Sequence, residues 1–173
     1  GCASGEEAYT LGIVLQEYID EHRLDMNIEI FASDLDADAI HRARAGLYAG
    51  DISTDVNPRR LKRFFRKENN GYQVRAGIRE TIVFAEQSVI KDPPFTKLDL
   101  ICCRNLLIYL DSELQKRLLP LFHHSLNPAG ILFLGTSETI GGFTNLFSLL
   151  DNKWKIYQRK AGTHSQLQPI DFP

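Results

Sequence analysis

The stretch that most constrains the fold runs from Leu98 to Leu110, LDLICCRNLLIYL. Its first half, Leu98-Asp99-Leu100-Ile101-Cys102-Cys103, is a short, almost uninterrupted apolar run. Such a run suits a strand buried on both faces of a parallel sheet better than a half-exposed one. Arg104-Asn105 follow where the strand should end, and residues 106–110 turn apolar again around Tyr109. In open α/β sheets, ligands sit outside the carboxyl ends of the strands. A buried strand ending in Arg-Asn therefore reads as the floor of a site for a polar ligand.

Upstream, Gly1-Cys2-Ala3-Ser4-Gly5-Glu6-Glu7 is a small-residue loop leading into a helix. Glu6 and Glu7 suit a first turn, where carboxylates meet exposed N–H groups and the positive end of the dipole. Leu11, Val14, Leu15, Tyr18 and Ile19 keep helical spacing up to about His22. A glycine-bearing loop before a helix lets a ligand approach the backbone. The spacing here is GxxxG, not the dinucleotide GxGxxG. Ile28 to Ser33 reads as the next strand, ending in Asp34-Leu35-Asp36. An acidic residue there, roughly 20–30 residues after a glycine loop, is how Rossmann-like proteins grip a ribose. Glu7 and Asp34 fit that arrangement. Asp36 stands just before Ala37-Asp38-Ala39-Ile40 and is placed to cap that helix, so Asp34 is assigned to the ligand and Asp36 to the cap. The helix runs to about Ala45, and Gly46 ends it.

From Leu47 to Glu80 the composition changes. Asn57-Pro58 opens a short helix carrying Leu61, Phe64 and Phe65 on one side, and six of the nine residues from Arg59 to Lys67 are basic. That cluster reads as a solvated face around an apolar stripe, with a docking surface for an acidic partner protein as the sharper reading. Asn69-Asn70-Gly71 is a turn signal, and Tyr72-Gln73-Val74, followed by Ile78, suggests a small hairpin. The segment is too long for a simple connection and reads as an inserted subdomain, residues 47–80.

Residues 81–86 are β-rich, Gln87-Ser88-Val89 follow, and Pro93-Pro94 mark a loop before the Leu98 strand. Asp111-Ser112 precede a helix from about Glu113 to Leu126, closed by Asn127-Pro128-Ala129-Gly130. Ile131 to Gly135 is another buried strand, and Trp154 to Tyr157 the last. Residues 161–173 lack periodicity and read as a tail or linker. Strands alternating with helices give an α/β fold with a largely parallel sheet. A net charge of −2 gives no global reason to expect nucleic acid. Cys102 and Cys103 are neighbours on one strand and point to opposite faces, so Cys2, Cys102 and Cys103 read as reduced thiols rather than a disulfide framework. No run approaches the roughly 18 apolar residues of a membrane span, so no membrane insertion and a cytoplasmic location are expected. The five histidines show no metal-ligand spacing.

Five motifs taken together carry a family resemblance. They are Gly1 to Tyr9 (GCASGEEAY), Ala32 to Asp36 (ASDLD), Ala43 to Tyr48 (ARAGLY), Cys103 to Tyr109 (CRNLLIY) and Leu132 to Glu138 (LFLGTSE). In this order the chain resembles the CheR-type chemotaxis-receptor glutamate O-methyltransferases, which use S-adenosylmethionine. The resemblance covers about residues 1–160 and implies a Rossmann-like methyltransferase sheet with a small inserted β-subdomain. It implies that Glu7 and Asp34 hold the cofactor, Asp34 through the ribose, and that Ser88-Val89 pass close to the adenine, where the family usually has Asn-Leu. It further implies that Arg104 and Asn105 line the cofactor cleft, with Arg104 and Tyr109 near the methyl group and the incoming carboxylate. S-adenosylhomocysteine is then the product, the cytoplasmic domain of a chemotaxis receptor the partner, and the small subdomain the place where some relatives hold a receptor tail peptide.

The family also has a helical N-terminal domain and a first β-strand ahead of the glycine loop. That strand lies centrally, between the strands placed at Ile28 and Leu98. An empty central slot would expose two rows of backbone donors and acceptors. The expectation is a sheet closed by direct pairing, or by exchange with another chain in a strand-exchanged homodimer, or a sheet of low stability. Two other functions fit the sequence less well. One is a non-catalytic module of a multidomain signalling protein, binding S-adenosylmethionine or a partner. The other is a nicotinamide-dependent oxidoreductase, against which the absence of GxGxxG counts.

Overall fold

In the computed structural model, which describes residues 1–161, Gly5 adopts a left-handed backbone (φ 90°) directly before helix α1, Glu6–His22. A Cβ at Gly5 would lie 2.9 Å from the Ala43 Cβ and 3.0 Å from the Phe84 ring. The loop glycine is therefore a packing requirement of its own unit, whatever else it allows. The described residues form two compact units, Cys2–Gln87 and residues 88–161.

In the first unit, β1 (Ile30–Asp34) and β5 (Ile82–Glu86) pair in parallel, from Ile30 opposite Ile82 to Asp34 opposite Glu86. Helix α2 (Ala37–Ala45) starts where Asp36 Oδ1 accepts from the Ala39 N–H at 3.0 Å and stops at Gly46 in the left-handed conformation (φ 58°), both as the sequence suggests. Tyr9, Ile13, Ile40, Ala43 and Phe84 belong to one buried cluster with Phe64, Phe65, Val74 and Ile78 of the inserted segment. That segment holds β2 (Leu47–Ala49), α3 (Ile52–Asp55), α4 (Pro58–Phe64), β3 (Phe65–Glu68), β4 (Gly71–Val74) and α5 (Ala76–Arg79). Its strands form an antiparallel sheet in the order β2-β4-β3. Gly71 faces Ala49 across that sheet, and a Cβ there would come within 1.9 Å of the Tyr48 carbonyl oxygen.

One expectation for this segment changes. The basic helix ends at Phe64, because Phe65–Glu68 pairs with Gly71–Val74 across the Asn69-Asn70 turn; ladder formation overrides helical continuation. Two of its arginines are already engaged. Arg60 donates to both carboxylate oxygens of Glu17 at 2.7–3.0 Å, and Arg63 pairs with Asp20, so α1 supplies acidic partners from within the chain.

The second unit contains β6 (Leu98–Cys102), a 3-10 turn (Leu107–Tyr109), α6 (Ser112–Ser125), β7 (Leu126–Phe133), β8 (Phe147–Asp151) and β9 (Ile156–Arg159). Its sheet runs β6-β7-β9-β8, with β6 and β7 parallel and the other two ladders antiparallel. The sheet is thus mixed rather than largely parallel, because β8 and β9 form a hairpin whose turn carries Trp154, expected in the strand itself. The Trp154 N–H is held by Asp151 Oδ1 at 2.8 Å. Asn127 to Gly130, expected as a loop, is taken into β7 as a bulge between the Leu98–Leu126 and Leu100–Ile131 pairs. The Asn127 amide donates to Asp99 Oδ1 at 2.7 Å and keeps the two strands tied across it.

β6 is half-buried, not buried on both faces; of the apolar run only Cys103 is fully enclosed. The reason is its position. Among the described residues β6 pairs only with β7 and β1 only with β5, so each is an edge strand and the direct closure considered above is not formed. The Cys2 N–H covers part of the β1 edge by donating to the Ser33 carbonyl at 3.0 Å. No described helix is long and apolar enough to cross a membrane. The expected tail, residues 161–173, lies outside the described residues but for Ala161.

His123 on α6 is 4% exposed and packs edge-on against Phe147 at 5.6 Å. Its Nε2 lies 3.2 Å from the Lys160 carbonyl, which can only accept, so Nε2 carries the proton. Burial pushes the imidazole pKa below its ordinary 6.5, with Arg159 and His124 acting in the same sense. Its contribution to stability is then fully present above the unfolded value and lost as pH falls below it. The thermal midpoint should drop between pH 7 and pH 5, and by less in His123→Gln; an identical drop in both would contradict this account.

Candidate functional site

Asp34 ends β1 and organises the loop before α1. Its Oδ2 accepts from the Ala3 N–H at 2.8 Å, and its Oδ1 from the Asp36 N–H at 3.0 Å. Partial burial pushes the carboxyl pKa up, but these N–H donors outweigh it and hold the group below its ordinary 3.8. It is therefore a fixed, ionised acceptor at neutral pH. Glu7 lies half-buried in the first turn of α1, while exposed Glu6 accepts from the Ser4 hydroxyl at 2.8 Å. Two tyrosines fasten the same loop and helix. Tyr48 Oη donates to the Ser4 carbonyl at 2.8 Å, and Tyr9 Oη to the Ala43 carbonyl at 2.7 Å. Arg44 donates twice to the Phe84 carbonyl, at 2.7 and 3.1 Å. The ARAGLY motif is thus accounted for by packing behind the glycine loop.

In the second unit, Ser88 and Val89 open a tight turn. The Ser88 Oγ accepts from the Ile90 and Lys91 N–H groups at 3.3 and 3.1 Å, and its own N–H donates to Asp92 Oδ2 at 2.6 Å. The Ser88 side chain is therefore occupied locally, and Val89 packs against the core. Arg104 leaves the end of β6 with its guanidinium 5.2 Å over the Phe133 ring. Gly135, in the left-handed conformation (φ 80°), makes room for it: a Cβ there would lie 2.8 Å from Arg104 Nε. Asn105 is exposed and left-handed as well (φ 54°), and Tyr109 in the 3-10 turn is 80% exposed. Arg104, Asn105 and Tyr109 thus share one short connection, Ser88 and Val89 another, and Glu7 and Asp34 sit in the first unit.

Sequence reasoning assigned no role to Glu138, the last residue of LFLGTSE. It is 5% exposed, and its carboxylate accepts from three consecutive backbone N–H groups, those of Asn105, Leu106 and Leu107, at 3.1, 2.9 and 2.6 Å. The available signal was an acidic side chain three residues after the glycine that ends an apolar strand.

The chain has an α/β fold with parallel and antiparallel strand pairs. It is similar to the solved structure of the O-methyltransferase segment StiE O-MT residues 961–1257, with a TM-score of 0.50 and 14% identity, over 87% of this chain and 45% of that one. The family description "CheR methyltransferase, SAM binding domain" matches residues 1–156, and the chain belongs to that family. It is 40% identical over 158 residues to an uncharacterized 104.1 kDa protein of Rhodobacter capsulatus, covering 91% of this chain and 17% of that protein. It is 32% identical to a chemotaxis protein methyltransferase of Borreliella burgdorferi and 33% identical to chemotaxis protein methyltransferase 2 of Vibrio cholerae. Those matches cover 90% and 84% of this chain, which spans 56% and 52% of the two relatives.

Removing the Asp34 carboxylate leaves the Ala3 and Asp36 N–H groups to water. Asp34→Ala should cost about 1 kcal/mol of stability, the usual net worth of a hydrogen bond, read from the urea midpoint at neutral pH. An unchanged midpoint would show that the carboxylate does not hold the loop.

Proposed function

We propose that this chain is the catalytic domain of a protein-glutamate O-methyltransferase acting on chemotaxis receptors, with methyl esters as its products. The observation that carries the reading is the connection after β6, which holds both Arg104, steered by Phe133 and Gly135, and an exposed Tyr109. A guanidinium and a phenol hydroxyl are suited to orient a carboxylate. The relatives named as chemotaxis protein methyltransferases support the receptor as substrate, and the non-catalytic alternative is not favoured. In this reading the open surface of the three-stranded sheet, with Leu47, Arg66, Glu68, Asn69, Asn70 and Gln73, is the contact for a receptor peptide.

S-adenosylmethionine presents hydroxyl and ammonium donors, and the residues present fit them. Asp34 is an ionised acceptor at the end of a parallel strand, and Glu7 a second carboxylate in the adjoining helix turn. In this reading Asp34 takes the ribose hydroxyls and Glu7 adds a further acceptor, and Ser88, through its backbone, Val89 and Asn105 are the second unit's contacts to the cofactor. When bound, the cofactor supplies a methyl group activated by a positively charged sulfur. A glutamate side chain is already ionised near neutral pH, so the protein needs no strong base. What its residues contribute is alignment and partial removal of water from the carboxylate. Arg104 and Tyr109 hold the carboxylate oxygen in line.

Calorimetric titration with S-adenosylhomocysteine tests the cofactor half. Asp34→Ala should weaken binding by about 1–3 kcal/mol, the range for leaving a paired polar group unmatched; equal affinity would refute the ribose assignment. Tyr109→Phe should lower turnover more than cofactor affinity, whereas equal effects on both would mean that it only shapes the pocket.

A further inference from the structure

We propose that Glu138 is a positioning residue for methyl transfer, acting by locking the connection that carries Arg104, Asn105 and Tyr109. The inference deepens the function proposed above and rests on it. Residues 105–107 leave the sheet at the end of β6, so their N–H groups have no ladder to join. Three N–H groups in succession form a concave nest for an anion, and the Glu138 carboxylate fills it. One of its oxygens takes Leu106 and Leu107, at 2.9 and 2.6 Å, and the other takes Asn105 at 3.1 Å. Glu138 is 5% exposed.

The geometry has consequences for each reacting side chain. Asn105 is held left-handed (φ 54°), a conformation that disfavours most side chains but that asparagine tolerates. That reversal turns the chain directly after Arg104 and sets the direction in which the turn bearing Tyr109 begins. Phe133 and Gly135 hold the Arg104 side chain from the end of β7, and Glu138, three residues on, holds the backbone that follows it. Gln115 secures the far end, its amide donating to the Leu107 and Leu110 carbonyls at 2.9 and 3.0 Å. Residues 133–138 therefore form a bracket for residues 104–107. None of its members needs to touch substrate.

The test compares Glu138→Gln and Glu138→Ala in the full-length protein. A glutamine oxygen can still accept from Leu106 and Leu107, but its NH2 faces the Asn105 N–H and cannot. Turnover is measured with labelled S-adenosylmethionine and a receptor cytoplasmic fragment, and affinity by titration with S-adenosylhomocysteine. Glu138→Ala should lower kcat about 100-fold, as a misplacement of about 1 Å does, with a much smaller change in cofactor affinity. Glu138→Gln should lose less than about tenfold, the worth of one hydrogen bond. A folded Glu138→Ala protein with unchanged kcat, or loss of kcat and affinity in equal proportion with glutamine no better than alanine, would overturn the proposal. Amide hydrogen exchange separates this claim from the assigned reaction. The N–H groups of residues 105–107 should exchange slowly in the unmodified protein and faster in Glu138→Ala, even if no methyl acceptor is found. Equal exchange in both would sink the anchoring role.

Discussion

Backbone N–H groups that lose their ladder partner at the end of a strand must find another acceptor, and in this chain carboxylates supply it. Asp34 takes the N–H groups of Ala3 and Asp36 at the end of β1. Glu138 takes those of Asn105, Leu106 and Leu107 beyond β6. Asp92 takes that of Ser88 just after β5, and Asp111 that of Leu114 at the start of α6. An unpaired buried N–H costs about as much as a lost hydrogen bond, so these acids decide which loop conformations are populated.

Close packing imposes the second constraint. Gly5 is needed where α1 meets Ala43 and Phe84, and Gly135 where the Arg104 side chain crosses the chain. Tyr9, Arg44 and Tyr48 reinforce the first of these places through main-chain carbonyls. Part of what identifies the family in this sequence is therefore scaffolding that packs the glycine loop and the Arg104 side chain in place.

The sequence was most legible where the determinants are local. The Asp36 cap, the Gly46 stop, the Asn57 cap and the Asn69-Asn70-Gly71 turn each depend on residues within a few positions. Asp34 was legible as a strand-end carboxylate, and the five motifs led to the family. Long-range features were not legible. The exposure of β6 follows from which strand lies beside it, the short α4 from pairing nine residues downstream, and the Glu138 contacts from a separation of 31–33 residues. The bulge at Asn127 to Gly130 is similar: the residues say turn, and the Asn127–Asp99 bond keeps the segment in the sheet.

The central claim is that a glutamate carboxylate receives the methyl group. Its most direct test is incubation of the full-length protein with methyl-labelled S-adenosylmethionine and the cytoplasmic fragment of a chemotaxis receptor, followed by mild alkali. The account predicts label on the receptor that alkali releases as methanol, the behaviour of a carboxyl methyl ester. Label that survives alkali would place the methyl group on nitrogen or another stable position. That result, or no transfer by a protein that binds the cofactor, would contradict the account.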